Sequence, residues 1–261
     1  MVPKPGFVVP WQTGAPSRPY VLGSFSSGKN MAPGKDEATR TARAVLRRIE
    51  TAALGTVERA GGAPHVSFVP VGLRVDGTPL LLLSELAEHT RNLKADPRLS
   101  LLFDATSDGE VPADGTRLTL QGRLVPTGSG IEAANDRRRY LARHPTAALY
   151  ADFADFRLFS VEVSRAHLIA GFGQARWIST TDLLPPASDL AVRETALLSG
   201  LAPLVPDGHS ISGIDADGID LRDRDGRSRR LCFDAPLRDA DDVAEAARRL
   251  LVGPSLTHDA I

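Results

Sequence analysis

Between Ser84 and Pro97 a polar segment rich in Glu85, Glu88, His89, Arg91, Asn92 and Lys94 interrupts a series of short apolar runs. Its centre, Arg91-Asn92-Leu93-Lys94, reads as a short helix that Pro97 ends. A helix start offers unpaired N–H groups, and Arg91 and Lys94 add positive charge, so the segment suits an anionic ligand. His89, followed by Thr90, serves either a ligand oxygen or the helix start, and Asn92 either a ligand or the turn's backbone. A second candidate is Gly171-Phe172-Gly173. Glycines without Cβ atoms let backbone and an aromatic face approach a flat cofactor, and Arg176 behind them is either a bidentate partner for a carboxylate or a rim charge. The pattern is not a dinucleotide fingerprint, because Arg176 stands where the third glycine is needed and no βαβ unit surrounds it.

Other chemistry is narrowed by elimination. No Ser-His-Asp set has a usable order or spacing, which removes hydrolase chemistry. The one cysteine, Cys232, excludes an intrachain disulfide framework and a cysteine-based zinc site; flanked by Leu231 and Phe233, it reads as a small buried hydrophobe. His65 on a strand edge reads as structural, His144 and His209 lie in turns, and His167 ends a strand near the glycine turn. Trp177 reads as core. A formal net charge of −1 argues against a general nucleic-acid binder. No apolar run is long enough for a membrane helix, and a reducing, cytoplasmic setting fits the cysteine usage.

The elements that must position these groups follow from periodicity. Residues 1–34, rich in Pro, Gly and Ser, read as a disordered tail, with Met31 an alternative start. Lys35 to Ala53 reads as an amphipathic helix, with Ala38, Ala42, Val45, Ile49 and Ala52 on one face and Gly55 as its stop. Strands are expected at 54–59, 65–74, 78–84 and 98–104, at 117–124, and from Phe156 to Leu168, with Gly-Gly and Asp-Gly turns. A helix over 130–143 should bury Ile131, Ala134 and Leu141. Antiparallel strands with helices inserted between them predict an α+β barrel rather than a doubly wound sheet. Prolines at 185–186 mark a linker. Beyond it, a helix at 189–200, three strands and a final helix capped by Asp239, burying Val243, Ala246 and Leu250, predict a compact α+β module. The expected divisions are a tail at 1–34, a barrel at 35–182, a module at 183–253 and a tail at 254–261.

The segment Ser84-Glu85-Leu86-Ala87-Glu88-His89-Thr90-Arg91-Asn92-Leu93-Lys94-Ala95-Asp96-Pro97-Arg98-Leu99-Ser100-Leu101, with the later Gly171-Phe172-Gly173-Gln174-Ala175, resembles the pyridoxamine-5′-phosphate-oxidase-like, FMN-binding split-barrel superfamily. The A-E-H-T-x-N-L form is similar to its haem-utilisation, HugZ-type branch, and the C-terminal module resembles the small α+β domain appended there. The resemblance implies a split β-barrel and a homodimer with ligand sites between two barrels. It also implies cofactor contacts from His89, Thr90, Arg91, Asn92, Lys94, Gly171, Phe172, Gly173 and Arg176. In that branch haem ligation is attributed to a histidine near the C-terminus, which here points to His258. Flavin-binding members place an Arg-Lys pair where this chain has Glu88 and His89. A carboxylate about 4 Å from a phosphate charge, at an effective dielectric of 20, repels it by about 4 kcal/mol, so FMN is disfavoured without being excluded.

Three readings remain open from the sequence. The first is a haem-binding protein of haem-iron use that opens the macrocycle with O2 and an external electron donor. The second is an FMN-dependent oxidoreductase of the pyridoxamine-phosphate-oxidase type. The third is a non-catalytic haem carrier or regulatory module. No catalytic residue is assigned.

Overall fold

The computed structural model describes residues 34–107, 114–171, 173–185 and 189–253. The expected tails, the Met31 start, Phe172 and His258 lie outside the described residues.

Helix α1 (Lys35–Arg48) opens the chain with Asp36 and Glu37 in its first turn and Arg47 and Arg48 in its last, each complementing the helix dipole. It ends earlier than its periodicity suggests. Ile49 turns extended, and β1 (Thr51–Val57) begins where Ala52 was expected to continue the helix. The reason is tertiary: β1 pairs with two strands at once, β2 (Pro64–Pro70) and β5 (Arg98–Asp104), and that ladder overrides local helix preference. Gly55 is therefore no helix stop. It lies inside β1, where a Cβ would come within 2.7 Å of Ser100 Oγ on β5, so glycine lets the two strands approach.

The remaining strands of the large sheet are β3 (Gly72–Leu73), β4 (Pro79–Ser84), β6 (Thr116–Pro126), β7 (Phe156–Ala170) and β8 (Ala175–Ile178). All pairs are antiparallel, in the order β2-β1-β5-β6-β7-β4-β3, with β8 also on β7. The expected α+β class and the curled, half-barrel sheet are both present. One face of the sheet packs Leu54, Leu81, Leu101, Phe103, Leu118, Leu120 and Leu168 into a core. Helix α1 closes that core with Ala38, Ala42, Val45 and Leu46, whose small alanines permit close approach.

Helix α3 (Ile131–Arg143) departs from its expected face. Ile131 is 83% exposed, and the buried positions are Asp136, Arg139 and Tyr140. The polar face turns inward because Arg139 donates to the Leu73 carbonyl and pairs with Glu194.

After the short helix α4 (Thr180–Leu183), the chain builds α5 (Leu190–Leu201), the sheet β9 (His209–Asp215), β10 (Gly218–Asp223) and β11 (Ser228–Cys232), and α6 (Ala240–Val252). These elements share a second cluster of Leu190, Leu201, Ile214, Ile219, Leu221 and Val243, to which Val75 contributes from the first half of the chain. Asp239 caps α6 as expected, accepting from the Asp241 and Asp242 N–H groups. The buried stripe is Ala240, Val243, Ala244, Ala247 and Leu251, whereas Ala246 and Leu250 are half-buried. Cys232 is exposed, contrary to expectation, because β11 is an edge strand of a three-stranded sheet. Charged groups join the two parts: Arg43 pairs with Asp217 at 2.8 Å, Arg47 with Asp215 at 3.2 Å and Arg222 with Glu50 at 2.8 Å.

Candidate functional site: helix α2 and the open face of the large sheet

Helix α2 (Glu88–Ala95) forms within the polar interlude, starting slightly before the expected core. Its buried side is Thr90, Asn92 and Leu93. Asn92 is fully buried; its Nδ2 donates to Thr56 Oγ1 at 3.3 Å, and its Oδ1 accepts from the Arg59 N–H at 3.2 Å. Its side chain thus pins α2 onto β1. Thr90 is also fully buried, and among the described residues its hydroxyl has no hydrogen-bond partner.

The other side of α2 is charged and half open. Glu88 lies 3.5 Å from Arg59 and 3.6 Å from Arg91, and Lys94 lies 3.1 Å from Glu85. Glu88 is therefore not a bare negative charge, and the case against a flavin phosphate rests on missing fixed cations more than on repulsion. These pairs are exposed and contribute little to stability. His89 Nδ1 stands 3.0 Å from Ser67 Oγ on β2. Burial, and secondarily the neighbouring His65, lowers the His89 pKa, so the ring is neutral near pH 7 with Nε2 unused by that contact.

The second candidate cluster sits elsewhere. Gly171 (φ 122°) and Gly173 (φ 74°) shape the β7–β8 turn, closed by Gln174 N–H donating to Gly171 O at 3.1 Å. Register places Arg176 opposite Leu168, on the core side of the sheet. Between α2, which stands on β1 and β2, and this hairpin lie β5 and β6. Among the described residues of one chain the two clusters are not brought together.

The structure adds a surface that motif reading missed. Phe68, Ala53, Leu102, Thr119, His167 and Trp177 are successive register partners across β2, β1, β5, β6, β7 and β8. They make one row on the face opposite the core. Phe68 is 73% exposed and Trp177 53%, so Trp177 is not core. His167 stacks on Trp177 with centroids 4.6 Å apart, and Arg165 lies over the same indole at 4.3 Å. Beside this row runs an open groove of about 640 Å³, lined by Val57, Val66, Arg98, Ser100, Gln121 and Arg165, among others, with His65 at its edge. The legible signal was strand β2, whose Val66 and Phe68 alternate with polar His65 and Ser67 while Val69 joins the core; a strand with apolar groups on both faces asks for cover on both.

The family follows from a match that covers this barrel. Residues 33–184 fit the family model "CREG, beta-barrel". The chain belongs to that family. Proteins similar to this chain include some of named activity. The chain is 36% identical over 114 residues to the non-canonical heme oxygenase HOZ, chloroplastic, of Arabidopsis thaliana, a match covering 44% of this chain and 34% of that protein. This match thus spans about a third of the plant protein's length. It is 28% identical over 145 residues to the heme oxygenase HutZ of Vibrio cholerae, covering 52% of this chain and 77% of HutZ. A solved heme binding protein from Mycobacterium smegmatis matches with a TM-score of 0.54 and 28% identity, over 85% of this chain and 97% of that one.

Proposed function

We propose that this chain is a haem-binding protein of haem-iron use and works as a homodimer joined through the open face of the large sheet. The carrying observation is the exposed row from Phe68 to Trp177 beside a groove with two guanidinium groups, Arg98 and Arg165. An apolar row of this kind on a folded sheet is an interface waiting for a partner. A second copy of the same face would supply one, because a two-fold interface is self-complementary. It would also offer α2 of one protomer a hairpin from the other, which a single chain does not. Kinship with two proteins named heme oxygenases, and with a heme binding protein, supports haem as the ligand.

The donor set fits such a ligand. Val57 and Val66 supply apolar wall, and Arg165 supplies a cation for a carboxylate, while Arg98 is held by the Asp96 carboxylate at the rim. His89 supplies a neutral imidazole held by Ser67. Arg91, Lys94, the Gly171–Gly173 turn and Arg176 are proposed as further contacts, with Thr90 and Asn92 holding α2 in place. His258 is proposed as the iron ligand. When bound, haem would supply oxygen activation at its iron, with electrons from an external donor. The chain's own part is to orient the macrocycle, neutralise its carboxylates and limit water on the covered sheet face. A cytoplasmic setting is part of the same reading; among the described residues no helix is long and apolar enough to cross a membrane.

Titrating untagged protein with hemin and, separately, FMN tests this. A shifted Soret band at one hemin per chain, without flavin uptake, is expected; stoichiometric FMN and indifference to hemin would refute it. Bound hemin that survives reductant and oxygen would reduce the reading to a carrier. His258→Ala should weaken binding and move the Soret maximum if that residue ligates iron.

A further inference from the structure

Between α3 and strands β4 and β7 lies a cleft of about 140 Å³. Its position follows from two periodicities. Register pairs Leu82 of β4 with Leu158 of β7, and Phe156, two residues before Leu158, lies on the same strand face. On α3, Arg137, Tyr140 and Leu141 recur at three- and four-residue spacing, so one helix face meets that pair. All of these residues line the cleft, and Arg157 borders it beside Phe156. The cleft shares no lining residue with the groove on the open sheet face.

The cleft is apolar at its floor and cationic toward solvent. Tyr140 is buried, Leu82, Leu141, Phe156 and Leu158 are half-buried, and Arg137 and Arg157 are exposed. Among the described residues no carboxylate lines it. Arg157 has no ion pair there; its Nη1 donates to the Phe156 carbonyl at 3.0 Å. Arg137 pairs with Asp152 at 2.7 Å, but both side chains are exposed, and a pair of that kind contributes little. The walls therefore suit an apolar group and the rim an anion. Size narrows the apolar group. A cavity of about 150 Å³ with leucine-like and aromatic walls holds one benzene ring, so this cleft admits a single ring and excludes fused ones. Phe156, whose ring centroid lies 4.9 Å from that of Tyr150, gives such a ring an aromatic neighbour.

We propose that this cleft binds a monocyclic aromatic carboxylate, of which benzoate is the simplest. The ring lies against Leu82, Leu141, Phe156 and Leu158, and the carboxylate meets Arg157 and Arg137 at the rim. A neutral ring would leave the guanidinium groups unused, and a small carboxylate would leave the apolar walls uncovered. The inference is independent of what the open sheet face binds.

Calorimetric and amide NMR titrations of the untagged full chain with benzoate, benzyl alcohol and acetate provide the test. Benzoate should saturate at one per chain. Benzyl alcohol, which keeps the ring without the charge, and acetate, which keeps the charge without the ring, should each bind roughly tenfold more weakly or worse. Arg157→Met, at an exposed position, should weaken benzoate roughly tenfold and leave benzyl alcohol unchanged. Amide shifts caused by benzoate should centre on Leu82, Tyr140, Leu141 and Phe156. Absence of saturable benzoate binding, benzyl alcohol as tight as benzoate, undiminished benzoate affinity in R157M, or shifts centred on the open sheet face would each overturn the proposal. The probe comparison uses the unaltered chain, so it decides the matter should R157M fail to fold.

Discussion

The open face of the large sheet and the charged junction between the barrel and the C-terminal sheet invert the usual distribution of residues. The open face leaves Phe68, Val66 and Trp177 exposed. The junction hides Asp215 completely and keeps Arg47 and Arg230 nearly so. Apolar groups in water and ions away from it both cost free energy. The two costs have different remedies. The junction answers its own within the chain, since Asp215 Oδ1 accepts from Arg230 at 2.7 Å and from the Asp217 N–H at 2.8 Å, while Oδ2 lies 3.2 Å from Arg47 without hydrogen-bond geometry. Among the described residues nothing covers the open face, and on that rests the proposed interface. That contrast separates a part of the molecule explained by its own ion pairs from the part on which the proposed binding rests.

The largest effect that would break the comparison is at the junction. Asp215→Asn leaves Arg47 and Arg230 facing each other without a shared carboxylate and should cost about 3–5 kcal/mol in denaturant unfolding. A cost below about 1 kcal/mol, the scale of exposed pairs, would show that the junction is not a buried network.

On the open face the double substitution Phe68→Asp with Trp177→Asp should convert a dimer to a monomer in light scattering. The far-UV spectrum and the thermal transition of the monomer should persist. A protein that is already monomeric before substitution would end the interface proposal. Arg165→Ala, measured next, should weaken hemin binding by roughly tenfold if one charge-assisted contact of about 1.5 kcal/mol is lost; unchanged affinity would remove Arg165 from the site.

The pH responses are smaller and opposite in location. Burial alone would raise the Asp215 pKa, but Arg230 and Arg47 outweigh it and hold the group well below the ordinary carboxylate range. Its folded pKa being depressed, its stabilising effect is complete above about pH 4 and is lost as pH falls further toward the folded value. The wild-type unfolding free energy should therefore drop below about pH 4, and Asp215→Asn should flatten that dependence. For His89 the folded pKa is also depressed, so the unfolded chain takes up the proton first. Stability is then unaffected above about pH 6.5 and declines modestly as pH falls through the window beneath it. An NMR titration midpoint for His89 above 6.5 would contradict its half-buried, neutral placement beside Ser67.

Much of the scaffold was legible in the chain. Alternation and Asp-Gly or Gly-Gly turns placed most strands, Pro97 ended α2, and Asp239 capped α6, because each depends on neighbours a few residues away. The misreadings share one cause. Ala52 looked helical and Gly55 a helix stop until β1 met two partners; α3 seemed to bury Ile131 until Arg139 found Glu194; Cys232 and Trp177 looked interior until one proved to lie on an edge strand and the other on an open face. Of the site, the polar helix α2 was visible as a motif, but Arg98, Arg165 and the cross-strand row were not, since each of those residues is unremarkable alone.

The amino-acid order by itself determined the α+β strands and helices and the polar helix between β4 and β5, because periodicity and turn chemistry act over short distances, while the split-barrel likeness came from the family resemblance of the Ser84–Leu101 motif. Only tertiary structure decided that α2 and the Gly171 turn stand apart among the described residues, that a row of six side chains shares one open face, and that Asp215 lies buried between Arg47 and Arg230. Those facts depend on strand register and on docking between distant segments, and no local pattern encodes either.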